Sequence, residues 1–124
     1  MHALSIGWAE RDVSTTEPID IPGQFHTRIS QGIHDHVTVT ALAIDNGADS
    51  VIFLSADIVV IRAHLLDRIR DRVAALDPAI PALKILMNAT HTHAAPTTYG
   101  NRTGWESGSV TGAIDAFPHD DIAI

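Results

Sequence analysis

Between residues 51 and 89 the hydrophobic period changes twice, and that change leaves few architectures open to the chain. Val51-Ile52-Phe53-Leu54 is a nearly unbroken apolar run, the pattern of a strand buried on both faces. From Ile61 to Leu76 the spacing becomes helical. Ile61, Leu65, Ile69, Val73 and Leu76 fall on one face, while Arg62, Asp67, Arg68, Arg70, Asp71 and Arg72 spread over the rest. Asp77-Pro78 stops this helix, because proline disfavours the helical region for the residue before it. Lys84-Ile85-Leu86-Met87-Asn88-Ala89 then reads as another buried strand. Strand, helix and strand at this spacing predict that 51–57 and 84–89 are parallel neighbours joined by a right-handed crossover.

Upstream, Val37-Thr38-Val39-Thr40-Ala41-Leu42-Ala43-Ile44 is rich in β-branched residues and alternates at its start. Asn46-Gly47 follows as a turn signal, since both residues tolerate positive φ. An antiparallel hairpin with the 51–54 run is the expected result. Leu4 to Ala9 reads as a further strand ending in the polar Glu10-Arg11-Asp12. Residues 14–32 hold Pro18, Pro22, Gly23 and Gly32, so an extended loop is expected. Its length is unusual for a compact domain and suggests a cover over something. The fold class is therefore α/β: a mixed sheet with a β-hairpin followed by a right-handed β-α-β crossover, plus an irregular C-terminal tail. Residues 1–96 form the α/β domain, and 97–124, with Gly100, Gly104, Gly108 and Gly112 among polar residues, form a loop-rich tail.

Composition narrows the function. A formal net charge of −7 leaves no basic stripe for phosphates, so a nucleic-acid partner is excluded. No apolar run approaches the ~20 residues of a membrane span. The first residues, Met1-His2-Ala3-Leu4-Ser5, lack the basic start and apolar block of a secretory signal, which predicts a cytoplasmic protein. With no cysteine, any metal must be held by imidazole, carboxylate, phenolate or carbonyl groups. The chain has eight histidines to draw on.

In an open α/β sheet, ligands gather beyond the carboxyl ends of parallel strands. One such end carries Leu54-Ser55-Ala56-Asp57, and the next runs through Asn88-Ala89 into Thr90-His91-Thr92-His93. Parallel pairing would place Asp57, His91 and His93 on one rim, where Asp57 is expected to serve catalysis beside His93 by orienting a histidine. On extended backbone, side chains two apart share a face, with Cα atoms roughly 7 Å apart at a rise of ~3.3 Å per residue. Two imidazoles so placed can converge on one ion, at metal–nitrogen distances of about 2.0–2.1 Å. The competing reading has equal weight: two loop histidines that cap backbone groups or face solvent. Asp57 by itself also fits a turn or helix-start residue, accepting free amides. His34-Asp35-His36 is a second pair, better read as a polar lead-in to a strand. His26, His64 and His119 stand singly, and Tyr99 either adds a phenol to the site or packs. His64 is expected at the start of the helix, where the macrodipole disfavours an imidazolium.

Four stretches carry a resemblance. They are Ile6-Gly7-Trp8-Ala9 with Asp12; Gly32-Ile33-His34-Asp35 leading into Thr40-Ala41-Leu42-Ala43-Ile44; Val51-Ile52-Phe53-Leu54-Ser55-Ala56-Asp57; and Asn88-Ala89-Thr90-His91-Thr92-His93-Ala94-Ala95-Pro96. In this order and spacing, over residues 4–96, the chain resembles the N-terminal region of the neutral/alkaline non-lysosomal ceramidase-like family of zinc-dependent amidohydrolases. Only the Thr-His-Thr-His segment is quite specific. The resemblance implies a zinc cofactor, with His91 as a ligand and His93 beside the metal, taking part in catalysis. It also implies a small-molecule or lipid-like amide substrate. Family zinc is completed by a histidine, a glutamate and a tyrosine far downstream, so the chain looks like the first part of a longer enzyme or a shortened relative. The stretch after Thr97 departs from the family's continuation. Beside the hydrolase stands a second reading, a non-catalytic ligand-binding or homo-oligomerising domain with structural histidines, because a short sheet leaves an edge open to pairing.

Overall fold

The structure, a computed structural model, describes residues 3–98. Its elements run β1 (Ser5–Asp12), β2 (Thr38–Asp45), β3 (Ser50–Ala56), α1 (Ala63–Leu76), a 3₁₀ turn (Ala82–Lys84) and β4 (Ile85–Ala89). The strands form one sheet in the order β1-β2-β3-β4. β1 and β2 pair antiparallel, β2 and β3 pair antiparallel, and β3 and β4 pair parallel across α1. The mixed α/β sheet read from the sequence is the fold observed.

The hairpin between β2 and β3 turns over four residues instead of two. Asn46 accepts the amides of Ala48 and Asp49 at its side-chain oxygen, at 2.9 and 2.7 Å, and only Gly47 takes positive φ, at 81°. A side-chain oxygen that satisfies the turn amides removes the need for a second left-handed residue. β1 continues through Glu10-Arg11-Asp12 because those residues pair with Thr40, Val39 and Thr38. Backbone pairing overrides their polarity.

The core lies on one side of the sheet. Leu54 and Ile85 pack with Ile69 and Val73 of α1, flanked by Ala41, Ile52, Leu65, Ile80 and Met87. Arg70 fixes the helix to the sheet, its guanidinium donating to the Ile85 carbonyl at 2.9 Å. α1 begins two residues later than its apolar period, and Leu76 at its end remains exposed.

The expectation that β3 and β4 are buried on both faces is not met. In the register of the sheet, Trp8, Leu42, Phe53 and Leu86 stand in one row on the face away from α1. Trp8 is 69% exposed, Phe53 42% and Leu86 46%. The one α-helix among the described residues covers one face only, so the apolar run of β3 is half buried there. Lys84 belongs to the 3₁₀ turn instead of the strand, and its ammonium pairs with Asp49 at 2.7 Å.

The 14–32 stretch is more ordered than a bare loop. It doubles back on itself through a bridge between Asp20 and Ile29, with Ile21 donating to Arg28 and Ser30 to Ile19, each at 2.8 Å. Ile19 and Asp20 are buried, as are Ala95, Thr97 and Thr98, and the Thr97 amide donates to the Asp20 carbonyl at 2.9 Å. The doubled loop therefore folds onto the segment that follows His93. Gly100 to Gly112, Tyr99 and His119 lie outside the described residues.

Candidate functional site

The sheet register collects the polar strand ends on one rim. Asp12 closes β1 opposite Thr38, which opens β2. Asp57 follows β3, and its amide donates to the Thr38 carbonyl at 3.0 Å. After β4 the chain crosses toward β3, with Thr90 donating to Ala56 at 2.9 Å and His91 to Ile58 at 3.1 Å. Asp57, His91 and His93 thus share the rim that the parallel pairing predicts.

His91 and His93 come together by a different route from strand alternation. His91 has φ +62°, the left-handed region. The kink that this produces ends the extended backbone, and the two rings meet edge to face, with centroids 4.9 Å apart and planes at 72°. The pair is close because the chain bends. A non-glycine residue held there stores strain of about 1–2 kcal/mol, and such strain concentrates at functional positions.

The His91 ring is fixed by the backbone. Its Nδ1 lies 2.7 Å from the Val59 carbonyl oxygen, which can only accept. Nδ1 must therefore carry the proton in the neutral ring, and Nε2 keeps its lone pair. That is the arrangement found behind metal-binding imidazoles, where the outer nitrogen donates to a carbonyl and the other faces the ion. His91 is an exposed residue. A zinc-bound ring has its centroid about 3.2 Å from the ion, so two such rings at tetrahedral spacing stand about 5 Å apart. The separation of His91 and His93 fits that value, and it equally fits edge-to-face ring packing.

His93 is held from the other side by the doubled loop. The Arg28 guanidinium donates to the His93 carbonyl and, at 3.3 Å, to that of Pro22. Gly23, at φ +103°, sits against the ring itself.

Asp57 points its carboxylate elsewhere. Its Oδ2 accepts from the Thr38 hydroxyl at 2.9 Å and from the Thr38 amide at 3.3 Å. It does not cap α1, whose N-cap residue is Arg62, with no side-chain capping bond. The partner that orients His91 is a carbonyl.

The second histidine pair diverges. His34 pairs with its neighbour Asp35 at 3.0 Å, and both are exposed. His36 turns to Asp12, with Nδ1 2.6 Å from Oδ2. The Ser14 hydroxyl and amide, and then His36, hold the Asp12 carboxyl below its usual range. Ser14 also accepts the Val37 amide at 2.8 Å, so this cluster clips the end of β1 to the start of β2. His64 is the second residue of α1, and its Nε2 is buried without a partner among the described residues.

Among the described residues, no three histidine, cysteine or carboxylate groups converge as a metal-holding set. His91 and His93 together would offer two imidazole donors. A catalytic zinc takes three protein ligands and a water, so two rings fit part of such a sphere.

The fold has solved counterparts. Neutral ceramidase from Pseudomonas aeruginosa superposes with a TM-score of 0.67 over 80% of this chain and 16% of its own, at 20% identity. A ceramidase complexed with C2 matches with the same values. The fold is ceramidase-like. At this identity the likeness concerns architecture, and the chain spans about a sixth of the solved ceramidases' length. No family model and no curated protein sequence matches the chain. No helix among the described residues is long and apolar enough to cross a membrane.

Sequence reasoning missed Gly23, Arg28 and Val59 as partners of the two rings. Pro22-Gly23 marked only a turn, and Arg28 is an isolated arginine in a loop. Val59 acts through its carbonyl, which no side-chain motif encodes.

Proposed function

We propose that this chain carries part of a zinc-dependent amidohydrolase site of the ceramidase type, with His91 as a metal ligand. The single observation that supports it most is the Val59 carbonyl at His91 Nδ1, which leaves Nε2 bare and fixed in direction. Zinc bound there would act as a Lewis acid toward a scissile carbonyl and would lower the pKa of a water. His93, 4.9 Å away, is a second ligand or the group that takes and returns a proton, since an imidazole nitrogen can both accept and donate one. Asp57 holds β2 and β3 together at the rim, through the Thr38 hydroxyl and amide. The substrate class is a small or lipid-like amide. The remaining ligands come from groups beyond the two rings.

Elemental analysis after dialysis tests the ligand assignment. The chain should retain zinc, and His91→Ala should lose it; equal metal in both proteins would remove His91 from the site. Hydrolysis of a short N-acyl amide, abolished in His93→Ala, tests the reaction.

A second reading is favoured by the exposed row of Trp8, Phe53 and Leu86. An apolar sheet face of this kind marks an association surface. Under that reading the chain is a non-catalytic, self-associating domain, and light scattering would find a tight oligomer that holds no metal.

A further inference from the structure

We infer that the doubled 14–32 loop is the positioning element of His93, acting through Gly23 and Arg28. The inference rests on the proposed role of His93 only for its consequence; the positioning itself needs no metal. A Cβ on Gly23 would lie 2.5 Å from His93 Cγ, 2.6 Å from Nδ1 and 2.9 Å from Cδ2. Near-equal distances to three contiguous ring atoms put that position over the plane of the imidazole. Gly23 Cα therefore lies against one face of the ring, where a Cβ would force the ring to move. Its φ of +103° excludes side chains a second time.

The close approach needs something to hold it, and Arg28 does so. One guanidinium nitrogen donates to the carbonyls of Ile21, Pro22 and His93. It thus ties the corner that carries Gly23 to the backbone of the residue whose ring Gly23 touches. That nitrogen sits at the end of a planar, permanently charged guanidinium of fixed direction, which a lysine ammonium on a flexible stem does not reproduce. Arg28 Nε is buried and has no partner among the described residues, so the head is committed to this junction at a desolvation cost. Below it, the Thr97 amide on the Asp20 carbonyl anchors the same loop to the chain beyond His93. Carbonyl contact fixes the first ring, and this clamp fixes the second. The loop accordingly determines whether the His93 ring meets His91 at the angle observed.

Proton NMR of the full chain reads this directly. A nuclear Overhauser contact is expected between the Gly23 Hα protons and the His93 ring protons of the metal-free protein. Arg28→Lys and Gly23→Ala should each remove that contact and move the His93 ring signals, while the amide signals of Leu54 and Ile85 stay in place. Arg28→Lys keeps charge and stem, so it covers the case in which Gly23→Ala fails to fold. In zinc titrations each variant should bind about tenfold more weakly, the loss typical when the support behind a metal site is removed. Absence of the contact in the parent protein would overturn the inference. So would His93 signals unmoved in Arg28→Lys. If the parent binds no zinc while the contact is present, the metal assignment fails and the positioning stands.

Discussion

The imidazoles of His91 and His93 meet edge to face, 4.9 Å between centroids, just beyond β4, the strand that pairs in parallel with β3. Their closeness depends on a left-handed His91 whose Nδ1 donates to Val59. Each of these facts has a measurable consequence.

A proton on Nδ1 is the first. Nitrogen-15 spectra above the titration range of imidazole should show His91 as the Nδ1–H tautomer, with Nε2 in the bare-nitrogen region. Zinc addition should move the Nε2 resonance and leave Nδ1 protonated. An Nε2–H tautomer would mean that the lone pair faces the carbonyl, and His91 could not be the ligand.

The backbone of His91 gives the second. At φ +62° any side chain costs about 1–2 kcal/mol relative to glycine. His91→Gly should therefore be more stable than His91→Ala by about 1 kcal/mol in denaturant unfolding, although both lack the ring. Equal stability would show that the left-handed conformation is absent in solution. A gain from glycine would also show that the natural residue is kept against stability, as expected where a group serves chemistry.

The two strand-end histidines, the hairpin and the crossover were legible because each is written in local pattern. A change of period from two to 3.6 and back specifies β3, α1 and β4 wherever the chain goes. The tightness of the His91–His93 pair was legible as an outcome but not as a cause. Spacing suggested extended backbone, whereas the conformation comes from long-range bonds to Ile58 and Val59. Gly23 and Arg28 were illegible for the same reason, since they sit 65 or more residues from what they hold. The exposure of Phe53 could not be read from the sequence either. An apolar run reports that a residue can be buried, and the number of layers available decides whether it is.

That contrast between adjacent residues makes the third prediction. Leu54 faces α1 and is 1% exposed, while Phe53 faces away. Leu54→Ala should destabilise by about 2–5 kcal/mol, the range for a buried leucine left as a cavity. Phe53→Ser should cost clearly less than Leu54→Ala, about 1–2 kcal/mol, because only part of the ring is packed. It should also reduce binding of an apolar fluorescent dye, which the row of Trp8, Phe53 and Leu86 otherwise takes up. A large loss of stability in Phe53→Ser would show that this face is covered in solution, and sedimentation would then identify the cover.

The last prediction concerns acid. The Ser14 hydroxyl and amide and the His36 ring lower the Asp12 carboxyl from its ordinary 3.8. A carboxyl depressed in the folded state releases its proton more readily there than in the unfolded chain. Its contribution to stability is therefore complete above the ordinary carboxylate range and disappears as pH falls through the folded value. Asp49 behaves alike, lowered by the Lys84 ammonium and the Ser50 amide, and it ties the start of β3 to the turn before β4. Asp12→Asn and Asp49→Asn should each flatten the acid limb of the stability curve, and each variant should differ little from the parent below that limb. Both groups are exposed, so each effect should shrink in high salt. Carbon-13 titration of the two carboxyls provides the direct check, with midpoints expected under 3.8 for both. A midpoint at or above that value for Asp12 would mean that the clip between β1 and β2 is open, and the rim carrying the two imidazoles would lose one of its fixed corners.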